Sequence, residues 1–177
     1  LVTGSTRGLG WAIAQALAGA GAHVVVNGRG PGDVAARVTE LTASGWSASG
    51  VAFDVVDVDA ARVAVDELAA TAGRLDILVN NAGIQRRAPL AEFDQADFDA
   101  VLAVHLKGSF NCGRHALPLM KEQGYGRVIN ITSSAGLRGN FNAAIKPVAA
   151  RGTRHGSVSS ALSPLTFCRP WRWAFQP

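Results

Sequence analysis

Apolar positions along this chain alternate between two patterns. Short runs rich in valine, isoleucine or leucine predict strands, and longer stretches with an apolar residue every three or four positions predict helices. Leu1 and Val2 read as the end of a strand, followed by a turn that holds Gly4, Gly8 and Gly10. An alanine-rich helix starts at about Leu9 and ends near Gly19 to Gly21. Residues 23–26, His-Val-Val-Val, form a second strand bounded by Asn27-Gly28. Over residues 33–44, Val34, Val38 and Leu41 share a helical face, and Gly45 ends that helix. A third strand at 49–53 leads to Asp54, and Asp57 or Asp59 caps a helix through Ala72 that carries Val63, Val65, Leu68 and Ala69. Residues 75–79 form a fourth strand with Asn80, Asn81, Ala82 and Gly83 at its carboxyl end. Asp94 or Asp97 caps the longest helix, whose stripe of Phe98, Val101, Leu102, His105, Ser109, Cys112, Ala116 and Met120 keeps the helical repeat. A fifth strand at 126–131 ends in Thr132-Ser133-Ser134.

Alternating strands and helices predict an α/β fold, a Rossmann-type doubly wound parallel sheet with ligands outside the carboxyl ends of the strands. Two apolar residues precede the first turn and the pattern stops after the fifth strand, so the sheet is expected to be incomplete at both ends and the chain to be a fragment. Residues 1–141 form the expected nucleotide-binding domain, and residues 142–177 a divergent, basic, poorly ordered tail. From 147 to 177 there is no acid and no sustained period, and Pro147, Pro164, Pro170 and Pro177 interrupt the stretch. A change of reading frame or a truncated gene would explain a change that abrupt, the alternative being a basic partner-binding tail.

Charge removes one class of partner. Through Glu122 the acids outnumber Lys and Arg by 13 to 10, and seven basic residues follow with no acid. Single basic residues without a stripe or interleaved aromatics do not suit nucleic acid. No apolar run approaches the length of a membrane span, so no membrane partner is expected. Cys112 and Cys168 offer neither a disulfide framework nor metal-ligand spacing, which fits a metal-free protein of the reducing cytoplasm.

The glycine turn carries the chemistry. Gly4 permits a tight turn, Gly8 and Gly10 let a ligand and a neighbouring strand approach the backbone, and the free N–H groups near Leu9 form an anion site. Thr3, Gly4, Gly8 and Gly10 spell T-G-x-x-x-G-x-G, and Asn80 to Gly83 spell N-N-A-G. With these two motifs the chain resembles the short-chain dehydrogenase/reductase family from Leu1 to about Phe141. The resemblance implies reversible hydride transfer between a nicotinamide cofactor and a secondary alcohol or ketone. It places Thr3, Gly4, Ser5, Gly8, Leu9 and Gly10 at the cofactor phosphates. It also puts Asp54 beside the adenine, although bonding to nearby loop backbone explains Asp54 equally well. The asparagines would tie neighbouring strands together, Ala82 and Gly83 would leave room for the cofactor, and Asn81, Ala82 and Gly83 would count among its binding residues.

At the end of the second strand of such a fold, an acid accepts from the ribose of NAD and an arginine accommodates the 2′-phosphate of NADP. Here Asn27-Gly28-Arg29 holds no acid, and Arg7 adds a second positive charge, which favours NADP while leaving NAD possible. Downstream, N-N-A-G-I-Q-R-R resembles gluconate 5-dehydrogenase-like members, and Arg86 and Arg87 suit an anionic substrate. By the same resemblance Ser133 is the catalytic serine. His105 stands where the family's relay asparagine occurs, and a hydrogen-bonded core histidine fits the position as well. The family's Y-x-x-x-K is missing: Lys146 and Ala150 occupy its positions, and Tyr125 is the only tyrosine. Cofactor binding with slow or absent hydride transfer is therefore expected, the alternative being a non-catalytic nucleotide-binding remnant. Family members usually form homo-oligomers through the long helix and its successor, and that successor is in doubt here.

Overall fold

The computed structural model describes residues 1–133 of the 177-residue chain. The expected tail at 142–177, with Lys146 and Ala150, lies outside them. In chain order the elements are α1 (Gly8–Gly19), β1 (Val24–Gly28), α2 (Pro31–Ala43), β2 (Ala48–Ala52), α3 (Val58–Ala72) and β3 (Ile77–Asn80). A short 3₁₀ turn, Leu90–Glu92, then precedes α4 (Gln95–Leu102), a π-helical segment Ala103–Lys107, α5 (Gly108–Glu122) and β4 (Arg127–Asn130). Of the alternative caps, Asp57 heads α3 and Asp94 heads α4, each accepting two backbone N–H groups.

β1 runs parallel to β2 from Val24↔Ala48 to Gly28↔Ala52, and β3 runs parallel to β4 from Ile77↔Arg127 to Asn80↔Asn130. Val2 joins the two pairs, bridging in parallel to Val26 on one side and Val79 on the other. The order across the sheet is therefore β2, β1, the opening segment, β3, β4. From Val2 the chain winds outward to β2 and then returns to β3 on the opposite side, which puts the topological switch beside Val2 and Val79. A crevice for ligands opens at such a point in a doubly wound sheet.

Period-two alternation explains why β1 is buried along its whole length. Val24 and Val26 face a cluster with Val2, Ala14, Ala18, Val34, Leu41 and Val79, which α1 and α2 cover. Val25 faces the other cluster, with Phe53, Val55, Leu68, Leu78, Cys112 and Met120, which α3 and α5 cover. Both sheet faces are thus covered, as a parallel sheet requires.

The long helix departs from expectation. The stripe from Phe98 to Met120 does not lie on one continuous α-helix, because the π segment separates α4 from α5. One wider turn shifts the register at His105, whose carbonyl accepts the Ser109 hydroxyl at 2.7 Å. Periodicity cannot reveal a single inserted turn, since the apolar stripe continues on both sides of it.

Candidate functional site

The glycine loop connects the buried opening segment to α1. Gly4 takes φ +62°, and a Cβ there would stand 2.9 Å from Ala82 Cα, so both left-handed backbone and close approach require glycine. Gly8, at φ +56°, faces open space, with nothing within 4 Å of the place a Cβ would occupy. Gly10 is different: it is buried, and a Cβ would strike the Gly4 carbonyl and the Asn81 side chain. Gly8 and Gly10 thus differ in what they do, since only Gly8 lies at an open surface.

The start of α1 differs from those of α3 and α4. Its N-cap residue, Arg7, supplies no side-chain cap, and the first turn holds no acid. Asp57 and Asp94, by contrast, fill this role at α3 and α4. Uncapped amides and the positive end of the helix dipole make the α1 entrance suitable for an anion. Leu9, expected in this turn, is 60% exposed. Arg7 and Arg29 are exposed, and neither forms an ion pair with another residue among the described residues.

Thr3 and Ser5, expected at the cofactor phosphates, are 1% and 0% exposed, with both hydroxyls bonded inside the protein. Ser5 Oγ donates to the Val2 carbonyl at 2.7 Å and accepts the Asn27 N–H at 3.0 Å. Thr3 Oγ1 donates to the Val79 carbonyl at 3.2 Å and accepts the N–H groups of Asn81 and Ala82, each at 3.0 Å. Both residues shape the loop. Asn27, which stands near the end of β1 where an acid would select NAD, has a buried side chain that links β1 to the glycine loop and to the end of β2. Its Oδ1 accepts the Gly4 N–H at 3.1 Å, while Nδ2 donates to the carbonyls of Val51 and Phe53 at 3.2 Å. A polar residue ending an otherwise apolar buried strand was the available signal.

The expected strand-tying by the asparagines is present in detail. Asn80 Nδ2 donates to Asn130 Oδ1 at 2.8 Å, linking β3 and β4. Asn81 Nδ2 donates to the carbonyls of Thr3 and Gly4 at 3.0 and 3.1 Å. Gly83 makes room for a neighbour inside the protein, since a Cβ there would stand 2.5 Å from His105 Cε1. Asp54 accepts the Val56 N–H at 3.1 Å, the local backbone role that its sequence position allowed.

Beyond this crevice, His105 reaches from the π segment to the loop after β3. Its Nε2 lies 2.8 Å from the Ile84 carbonyl and 3.2 Å from the Ile84 nitrogen. The shorter distance fits the tautomer in which Nε2–H donates to the carbonyl. His105 thus fixes the loop that carries Arg86 and Arg87. Arg86 Nε is held by Asp97 at 2.8 Å, whereas Arg87 reaches the amide oxygen of Gln85 once that amide is turned toward it. Ser133 follows the carboxyl end of β4 and is half-buried. The only tyrosine, Tyr125, precedes the same strand at its amino end, with Arg127 over its ring at 5.0 Å. Among the described residues, no group of three or more His, Cys, Asp or Glu could hold a metal ion.

Open Gly8 and the uncapped amides of α1 suit a phosphate, and exposed Arg7 and Arg29 carry charge that no ion pair among the described residues takes up. Comparison with known proteins agrees with the fold. Residues 1–145 match the short chain dehydrogenase family. Gluconate 5-dehydrogenase of Gluconobacter oxydans is 41% identical over 133 residues, covering 75% of this chain and 52% of that protein. The chain therefore spans about half the length of that relative. An uncharacterized oxidoreductase of Bacillus subtilis is 37% identical over 176 residues, covering 93% of this chain and 68% of its own. That match reaches past Phe141, where the motifs alone had ended the resemblance. The crystal structure of a gluconate 5-dehydrogenase from Burkholderia cenocepacia, in complex with NADP and tartrate, aligns with a TM-score of 0.82 at 39% identity, covering 85% of this chain and 59% of that one. By family match, identity and fold, the chain belongs to the short-chain dehydrogenase/reductase family.

Proposed function

We propose that this chain binds NADP in preference to NAD at the α1 entrance, and that hydride transfer between nicotinamide and a secondary alcohol or ketone, the chemistry of its family, is weak in it. The observation that carries the reading is the uncapped start of α1 beside open Gly8, with Arg7 and Arg29 exposed and no acid at the end of β1. The amides suit a pyrophosphate common to both cofactors, while an arginine in place of an acid discriminates in favour of a 2′-phosphate. When bound, the nicotinamide would supply or accept the hydride. This chain's residues would hold the phosphates, and Ser133 would hold the substrate oxygen.

A small anionic alcohol or ketone of the sugar-acid class is the proposed substrate. Arg87 suits its carboxylate better than Arg86, because Asp97 already neutralises Arg86 whereas Gln85 leaves the Arg87 charge uncompensated. A reducing compartment such as the cytoplasm suits the buried, unpaired Cys112. No described helix is long and apolar enough to cross a membrane.

A second reading, a nucleotide-binding remnant without catalysis, is favoured by the position of Tyr125 at the end of β4 away from Ser133. Fluorescence titration with NADPH and NADH tests the binding half. NADPH should bind more tightly, and Arg29→Asp should narrow or reverse the preference. Equal affinities in the unmutated chain would defeat the NADP assignment, and no binding of either would defeat the nucleotide site.

A further inference from the structure

We propose that Arg37, on α2 and outside the nucleotide site, is the positioning residue that holds the glycine loop in its binding shape. The inference rests on the reading that this loop receives the phosphates of a dinucleotide. Up to Ser5 the loop is tied into the sheet: the N–H groups of Thr3 and Ser5 donate to the carbonyls of Val79 and Asn27 at 2.9 and 2.8 Å. Thr6 is the first residue beyond those ties. Its carbonyl accepts from Arg37 Nε at 2.9 Å. Its Cγ2 methyl fills the space beside Gly28, 2.6 Å from where a Cβ would stand. Thr6 therefore links the phosphate loop to the end of β1, and Arg37 holds it from outside.

The Arg37 side chain is itself fixed at two further points. A terminal nitrogen pairs with Glu40, one turn along α2, and the guanidinium lies over the Trp11 ring of α1 at 4.8 Å from its centroid. Three elements, α1, α2 and the loop, thus meet at one planar group. These contacts also decide what Arg37 does. Its charge is matched by Glu40 and one face is covered by Trp11, so it is not a free phosphate partner as exposed Arg7 and Arg29 are. Lysine cannot replace it, since an ammonium on a flexible stem has neither the Nε donor nor the flat face.

A positioning role makes a distinct prediction: the loop serves the pyrophosphate, which both cofactors share, so both should be affected alike. Calorimetric titration of the full chain with NADPH and with NADH, well below the melting temperature, compares the unmutated protein with Arg37→Lys, Arg37→Leu and Arg29→Ala. Loss of one charge-assisted hydrogen bond predicts that both Arg37 variants weaken each cofactor about tenfold, leaving their ratio unchanged. Arg29→Ala should weaken NADPH alone. Selective loss of NADPH in the Arg37 variants would make Arg37 a phosphate ligand and overturn the proposal, as would unchanged affinities.

Amide hydrogen exchange provides a readout that needs no ligand. In the Arg37 variants, a peptide covering residues 3–11 should exchange faster, through the Ser5 and Trp11 amides that bond to Asn27 and Arg7, with β3 and α5 unchanged. If the unmutated chain binds neither cofactor, the nucleotide reading fails. Loop exchange still decides the role of Arg37, because unaltered exchange in the variants means that it does not hold the loop.

Discussion

Asn81 bonds back onto Thr3 twice, its backbone N–H reaching Thr3 Oγ1 and its side-chain Nδ2 reaching the Thr3 carbonyl, each at 3.0 Å. The same Nδ2 also donates to the Gly4 carbonyl at 3.1 Å, so one side-chain amide joins the N-N-A-G segment to the glycine loop. Asn81→Ala should cost about 1–3 kcal/mol, since it leaves these acceptors unpaired in a half-buried place. Asn81→Asp should cost more than alanine at neutral pH, because a carboxylate would face two carbonyl oxygens with no proton to offer. Urea denaturation of the three proteins checks the order. An aspartate variant as stable as the unmutated chain would contradict it.

The alternation of strands and helices, the parallel sheet and both sequence motifs were legible in the chain because each rests on local pattern. Valine runs and the glycine spacing are properties of neighbouring residues. What could not be read were relationships across distance. Thr3 and Ser5 look like ligand contacts in the motif, and only the folded chain turns their hydroxyls toward Val79, Val2 and Asn27. Likewise, the stripe through His105 continues across the π segment without a break in composition. The pairing of Arg86 with Asp97 joins residues 11 positions apart, in a loop and a helix with no shared period.

Alanine at the two later loop glycines should separate folding from binding. At Gly8 the new Cβ meets nothing within 4 Å, and the penalty is the left-handed φ of +56°, about 1 kcal/mol. Gly8→Ala should therefore fold, melt slightly lower and bind NADPH weakly, because its methyl stands on the open surface offered to phosphate. Gly10→Ala should fold poorly with or without cofactor, since its methyl would collide with Gly4 and Asn81. Circular-dichroism melts alongside NADPH titration distinguish the two. Gly10→Ala melting like the unmutated chain would disprove the close packing assigned to it.

Cys112, on α5, is fully buried in the core, and burial pushes its thiol up from 9.0 to about 12. In a Cys168→Ser background, the native chain should not react with a disulfide reagent at pH 8, and one thiol should appear on denaturation. The same shift links to stability. Between pH 9 and 12 the unfolded thiol ionises while the folded one keeps its proton, so the unfolded state binds fewer protons and stability falls as pH rises. Further replacement of Cys112 with alanine should lower stability at pH 7 but flatten its decline above pH 9. Identical alkaline slopes with and without Cys112 would refute the assignment.

Turnover should be slow even when NADPH binds well. The binding half of the site rests on residues that are in place: open Gly8, the uncapped start of α1, exposed Arg29 and the asparagine ties around Thr3. On the proposed reading the proton half is the weak one, because the sequence does not carry the family's Y-x-x-x-K. Tyr125, the only tyrosine, precedes β4, and Ser133 follows it, so the strand Arg127–Asn130 separates the phenol from the serine. His105 does not stand in for the motif's tyrosine, because its Nε2 is engaged by the Ile84 backbone at 2.8 Å. A positioned acid–base contributes about 10²- to 10⁴-fold, which is the expected deficit relative to a family member that keeps Y-x-x-x-K. NADPH oxidation measured with ketones and keto-sugar acids, beside a Ser133→Ala control, tests this deficit. Rates equal to those of an intact family member, abolished by Ser133→Ala, would mean that another group protonates the substrate oxygen. Slow oxidation with tight NADPH binding would locate the defect in proton transfer, and supplying a small phenol or imidazole as an external acid should then raise the rate.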